Sequence, residues 1–304
     1  MPAHPHDLDA RRGDSRRRMW VALWINVAML GAEAIGGLLT GSLALLADAG
    51  HVLSDVGSIA LALFASALAA GPAVGRLTFG YQRSEILAAL FNGLLLVAIA
   101  VAIALAAVGR LGDPPEVDAG GVVVVGLLGL AGNVGAALVL ARGEREDVNL
   151  EGAFRHSAAD ALGSIGVVVA GTVILAGGSA IVDPLVSLAI SLLILASSWR
   201  LIAEPVGVLM EAAPAGLDVE AVGASICSEP GVRSVHDLHV WTVTAGFGAI
   251  AAHVVVDGEC DRDLVRRRIE LLLRDRYGID HTTLQMEEEA GDGLLQVENA
   301  RPEG

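Results

Sequence analysis

Apolar residues in this chain fall into six long runs: Met19–Leu39, Leu43–Ala69, Glu85–Val108, Val122–Leu140, Asn149–Ala176 and Val182–Ile202. Coiled as helices at about 1.5 Å per residue, each can cross a hydrocarbon layer of about 30 Å. Turn-forming or charged stretches separate them, among them Thr40-Gly41-Ser42, the Pro114-Pro115 link and Gly177-Gly178. After Glu204 the pattern changes. Leu217–Ser228 has helical periodicity, Val235–Thr244 and Ala249–Val256 alternate as strands around a hairpin at 245–248, and Arg262–Tyr277 reads as an amphipathic helix. Thr282–Glu288 reads as a last strand. The expectation is a membrane α-helical protein with six transmembrane helices and a C-terminal cytoplasmic α+β domain. That domain would be a small two-layer, ferredoxin-like fold of order αββαβ.

Domain limits follow from the same pattern: residues 1–18 as an N-terminal arm, 19–203 as the membrane domain, 204–288 as the soluble domain and 289–304 as a polar tail. The arm carries His4, His6 and five Arg and is expected to be disordered. Its polarity gives no cleavable leader before the first run. Six spans put both ends on one side. Arg11–Arg18, Arg76, Arg83, Arg142, Arg145 and Arg200 fall on the side of the termini, against Arg110 alone opposite. The excess of positive charge makes both termini cytoplasmic.

Composition narrows the function classes. The chain has 304 residues, 54% hydrophobic, and a formal net charge of −15. Every basic residue is Arg, and from Glu204 onward 19 acidic residues face 8 Arg, so the soluble end argues against nucleic acid as a partner. Cys227 and Cys260 provide neither a disulfide framework nor a CxxC knuckle.

Polar residues inside the runs carry the chemistry. His51 and Asp55 sit four apart in the second run, His156 and Asp160 four apart in the fifth, and no other His lies in any run. At that spacing each pair shares a helix face. Both pairs lie about 10–18 Å into the layer, so antiparallel helices can bring them to one point. Ionisable groups at that depth cost about 3 kcal/mol each by insertion scales and rarely sit there without a task. Two imidazoles and two carboxylates form a set suited to zinc. Small residues beside both pairs (Gly57 and Ser58; Ala158, Gly163 and Ser164) permit close helix packing. Asp48 reads either as lining the outer exit or as a hydrogen-bonding neighbour of the site. Glu33 and Asn26 read as bundle contacts or pathway lining, Asp183-Pro184 as a helix start, Arg83 with Glu85 as an ion pair, and Trp241 as core.

Several of these stretches resemble one family. Gly41-Ser-Leu-Ala-Leu-Leu-Ala-Asp-Ala-Gly-His51, Thr78-Phe-Gly-Tyr-Gln-Arg-Ser-Glu85, the His156–Asp160 pair and Val235-His-Asp-Leu-His-Val-Trp241 are similar to the cation diffusion facilitators, membrane exporters of zinc and heavy metals. The resemblance spans about residues 15–288. It implies a non-enzymatic antiporter of a bacterial inner membrane, a homodimer that exchanges divalent cations for protons. By position it places the transport site on His51, Asp55, His156 and Asp160. Manganese-type members carry Asp at both His positions, so this chain fits zinc, with cobalt or cadmium as further substrates. It also implies a cytoplasmic-domain zinc site at His236, His253 and Glu287, where Gln285 replaces an expected ligand and His239 or His281 could substitute.

Zinc ligands must be deprotonated, and imidazole titrates within the physiological range. Alternating access with protons displacing the metal on the outer side therefore follows as the expected mechanism. A metal sensor would need an output module, and none is recognisable after Glu288. An intramembrane zinc protease would carry a His-Glu-x-x-His helix, and the chain has none.

Overall fold

The computed structural model describes residues 5–141, 148–244 and 246–288. His4, the link through Arg142 and Arg145, and the tail beyond Glu288 lie outside the described residues. Six long helices come first: α1 (Pro5–Thr40), α2 (Leu43–Ala69), α3 (Ser84–Arg110), α4 (Ala119–Ala141), α5 (Val148–Leu175) and α6 (Val182–Leu209). Each contains a stretch long and apolar enough to cross a membrane. The soluble part follows as α7 (Val219–Cys227), β1 (Val232–Thr244), β2 (Phe247–Val256), α8 (Arg262–Tyr277) and β3 (His281–Glu288).

Two helix ends differ from the sequence reading. The apolar stretch of α1 starts at Trp20, yet the helix begins at Pro5, inside the arm expected to be irregular. Proline suits a first helical turn, and extending an existing helix avoids the cost of nucleation. At the other end, α6 continues through Pro205 to Leu209 rather than stopping near Ile202. Pro205 has no N–H for the carbonyl four residues earlier, that of Leu201. That oxygen lies over Gly93 of α3, where a β-carbon would approach it to 3.0 Å.

The chain divides into two compact units, Met1–Leu68 with Leu87–Ala203, and Ala69–Ile86 with Glu204–Gly304. In the first, α4 packs tightly on α5 through glycine. β-Carbons at Gly126 and Gly171 would press on Val167 and Val168, and on Val122 and Val123, respectively. The start of α2 is held from α6. Asp183, fully buried, accepts from Ser42 Oγ at 2.5 Å, from the Leu43 amide at 2.9 Å and from the Ala44 amide at 3.4 Å. A carboxylate from another helix thus satisfies the free N–H groups of α2 and complements its dipole.

In the second unit β1 pairs antiparallel with β2, and β2 pairs parallel with β3. Val240, Ile250, Ala252 and Val254 meet Val222 and Ile226 of α7 and Val265, Ile269 and Leu273 of α8 in one core. Asp218 and Asp261 cap α7 and α8, and Gly278 ends α8 at φ 67. The link at 69–86 belongs to this unit. Phe79 packs edge-on against Phe247 and His281, and Thr244 Oγ1 donates to Glu85 Oε2 at 3.1 Å. Arg83 consequently pairs not with Glu85 but with Glu211, at 3.3 Å. Trp241 is likewise not core. It is half-buried, outside the core group of the sheet, and lines a cleft with Arg76, Phe79 and Leu238.

The Asp183 cap makes a definite prediction. Asp183→Ala leaves the Ser42 hydroxyl and two amides unpaired in a buried place, at a cost of about 1–3 kcal/mol per lost charged hydrogen bond. Thermal unfolding of the detergent-solubilised protein should shift down by several degrees, and by less for Asp183→Asn.

Candidate metal centre

The α2 and α5 helices bring their two pairs together. His51 Nε2 lies 3.2 Å from Asp160 Oδ1 and 3.7 Å from Asp55 Oδ2. His156 Nε2 lies 2.9 Å from Asp55 Oδ2 and 3.5 Å from Asp160 Oδ2. The two imidazoles stand 5.7 Å apart between ring centroids. Imidazole and carboxylate therefore alternate around a small ring, and in each case the contact between helices is shorter than the contact within one. A tetrahedral zinc ion about 2.0–2.1 Å from each donor spaces its donors roughly 3.3 Å apart. The four observed edges bracket that distance, so the ring fits a small tetrahedral cation with little rearrangement.

Several packing details place the ring. Gly163 on α5 faces Asp48, whose Oδ1 would lie at an ordinary 3.5 Å from a β-carbon there. Gly50 on α2 lies against Ile99 of α3, and Ser54 Oγ donates to Asn92 Oδ1 at 3.4 Å. Asp160 is buried, whereas the His156 side chain is 44% exposed and leaves the ring open on one flank. Asp48 is not a ring member. It is buried and accepts from Ser164 Oγ at 3.2 Å, and that hydroxyl also accepts from Asn133 Nδ2 at 3.1 Å. Of the two readings of Asp48, the hydrogen-bonding neighbour is the one observed. Ser164 lies four residues after Asp160, so its place beside the ring was present in the spacing.

A second group of candidate ligands lies on the sheet. His236 pairs with His253 in the β1–β2 register, and their rings stand 5.0 Å apart. Glu287 bridges them, with Oε2 at 3.1 Å from His236 Nε2 and Oε1 at 2.8 Å from His253 Nδ1. Partial desolvation pulls the Glu287 carboxyl upward, but hydrogen bonds from His236, His253 and Gln285 outweigh it and hold the group below the usual carboxylate range. Gln285 is not a ligand in this arrangement. Its Nε2 donates to Glu287 Oε1 at 2.7 Å and orients that carboxylate. Neither His239 nor His281 joins the group, because they pair with Ala251 and Ala249, further along β2. Asp237, which strand alternation alone would point away, does join. A register shift follows His236, and Asp237 adopts φ 47, so adjacent residues both reach the exposed face. His236 turns Nδ1 to Asp237 and Nε2 to Glu287, so the two carboxylates lie on opposite edges of its ring, and a zinc ion held with His253 would take one of them at a time.

Comparison with known proteins bears directly on this arrangement. Residues 19–210 match the cation efflux transmembrane domain, and residues 214–289 match the cation efflux protein cytoplasmic domain. This chain belongs to the cation efflux family. It is therefore a member of a transporter family and not an enzyme. The metal cation efflux system protein CzcD of Cupriavidus metallidurans is 39% identical over 285 residues, covering 93% of this chain and 89% of that protein. A cadmium, cobalt and zinc/H(+)-K(+) antiporter of Bacillus velezensis is 38% identical over 287 residues, 93% of this chain and 91% of the relative. Zinc transporter ZitB of Escherichia coli is 37% identical over 276 residues, covering 90% and 88%. In this cation efflux protein the transmembrane match contains the whole His–Asp ring, and the cytoplasmic match contains the whole group around Glu287.

Zinc titration of the solubilised protein should separate the two groups. Asp160→Ala should weaken one class of binding by at least the roughly tenfold to hundredfold seen on losing mere supporting contacts. His253→Ala should weaken another class and leave the first unchanged.

Proposed function

We propose that this protein exports divalent transition-metal cations from the cytoplasm in exchange for protons, with zinc as the main substrate and cobalt and cadmium accepted as well. The ring of His51, Asp55, His156 and Asp160 is the transport site. The observation that carries this reading is the alternation of imidazole and carboxylate at 2.9–3.7 Å on two membrane-crossing helices. Nitrogen and oxygen donors in equal number suit zinc, while all-oxygen sets suit harder ions. Names of the similar proteins support the same substrates and proton exchange.

The ring also supplies a coupling mechanism. An imidazole nitrogen and a carboxylate oxygen can share either protons or a metal ion between them. Metal binding requires the deprotonated form, so entry of zinc expels protons and proton loading expels zinc. Alternating exposure of the ring then makes transport an exchange. Its orientation follows from the Arg distribution: both termini and the C-terminal domain are cytoplasmic, in a bacterial inner membrane. The domain limits read from the sequence apply in this orientation: the 1–18 arm, the 19–203 membrane domain, the 204–288 soluble domain and the 289–304 tail. A resident zinc ion at His236, His253 and Glu287 stabilises the cytoplasmic domain. Two copies of the chain form the working unit, in keeping with the match to the family's dimer domain.

Reconstitution in liposomes with a trapped zinc dye tests this proposal. Wild type should carry zinc at a rate set by the imposed pH gradient, and Asp160→Ala should abolish that flux. A zinc flux indifferent to the gradient would overturn the coupling. Zinc binding without passage under any gradient would overturn export itself.

A further inference from the structure

The cleft that Trp241 lines is a basic place in an acidic part of the chain. Its volume is about 910 Å³, and its walls all belong to the soluble unit: residues 76–80 and Arg83 of the link, Glu211, and residues 238–241 of β1 among them. From Glu204 onward 19 acidic residues face 8 Arg, yet among the described residues the only carboxylate lining the cleft is that of Glu211, beside two Arg. Glu211 is already engaged by Arg83 at 3.3 Å. Arg76 is exposed, and among the described residues neither its guanidinium nor the His239 imidazole of the same cleft has an ion-pair or hydrogen-bond partner. Thr78 adds a hydroxyl. The cleft thus holds more donors than the protein itself uses.

The link that carries Arg76 is folded rather than slack. The amides of Leu77, Gly80 and Ser84 donate to the carbonyls of Val74, Leu77 and Tyr81 at 3.1, 3.0 and 2.8 Å, and Phe79 packs edge-on against Phe247 and His281. Its surface is apolar all the same. Val74 is 65% exposed, and Leu77, Phe79 and Tyr81 are 44–48% exposed, an odd set for a short loop that meets only water. The ends of the link account for them. The α2 helix finishes at Ala69 and α3 starts at Ser84, and both are membrane helices, so the link lies at the leaflet surface. Glu211 follows the end of α6, a third such helix, by two residues. Aromatic and apolar side chains mixed with Arg suit the headgroup level of a bilayer. Phosphate is the anion met there, and a guanidinium can hold it through two parallel hydrogen bonds.

We propose that this cleft binds the headgroup phosphate of an anionic phospholipid, with Arg76 as its main contact and Arg83 and His239 as further donors. A free phosphate would use the guanidinium but leave the apolar wall of Leu77, Phe79 and Leu238 uncovered, whereas a lipid covers both. A zwitterionic lipid brings its own cation, which Arg76 repels. Lipid seated there holds the link and, through the Phe79 contacts, the sheet of the soluble unit. The site does not depend on what the His–Asp ring carries.

The test uses the purified full-length protein in detergent, with phosphatidylglycerol and phosphatidylcholine added in equal amounts and bound lipids counted by native mass spectrometry. Wild type should retain phosphatidylglycerol in preference to phosphatidylcholine. Arg76→Gln should lower that preference about tenfold or more, the loss expected for a charged hydrogen-bond donor. Arg76 is exposed and unpartnered among the described residues, so the variant should unfold at the wild-type temperature in lipid-free detergent. Glu211→Gln removes the one competing carboxylate and should raise the preference. Arg267→Gln takes an exposed charge from α8, outside the cleft, and should leave it unchanged. Equal losses from Arg76→Gln and Arg267→Gln would reduce the effect to general surface charge and overturn the site, as would a wild type without preference. Release of the lipid by inorganic phosphate would assign the donors to a free anion and overturn the lipid. Dissociation of a dimer by Arg76→Gln with lipid retention unchanged would give the cleft to a second copy of the chain and overturn it equally.

Discussion

Charge inside hydrocarbon must be answered by charge or by hydrogen bonds, and the membrane unit is arranged around that demand. Asp55 and Asp160 are answered by two imidazoles, and the shorter contact always comes from the opposite helix. The ring therefore joins α2 to α5 as well as offering a metal site. Asp183 is answered by the start of α2, which fixes the end of the helix that carries half of the ring. Among the described residues neither oxygen of the Glu33 carboxylate has a hydrogen-bond partner, and it stands apart for that reason. At Glu33 the approach depends on glycine, since a β-carbon at Gly129 would stand 2.5 Å from its Oε1.

The same logic divides the two metal groups. In the membrane, helical spacing of four presents each His with its Asp, and the ring requires only that two helices lie side by side. On the sheet, the candidate ligands come from three strands, and the bulge at Asp237 reverses the face that alternation would assign. Gln285 shows how a departure from an expected ligand need not empty a site. Its amide holds the neighbouring Glu287 carboxylate, which already touches both imidazoles.

Much of this was legible in the sequence for physical reasons. Six apolar runs read as helices because the bilayer allows little else, and His51, Asp55, His156 and Asp160 stood out because ionisable residues are rare there. Local signals failed where distant contacts decide the outcome. Nothing near Asp183 reveals that its carboxylate caps a helix some 140 residues earlier in the chain. Arg83 and Glu85 look like partners, but Thr244 takes the glutamate and Glu211 takes the arginine. Trp241 looked like core because it is large and apolar. It is instead half-buried and lines a cleft with Arg76 and Phe79.

The closed ring of alternating donors has a consequence for the two helices that carry it. Each carboxylate reaches an imidazole of the opposite helix at 3.2 or 2.9 Å, so the group that gathers the donors also fixes the lengthwise register of the two helices. Sliding one helix past the other by a single turn, about 5.4 Å, would part every such pair at once.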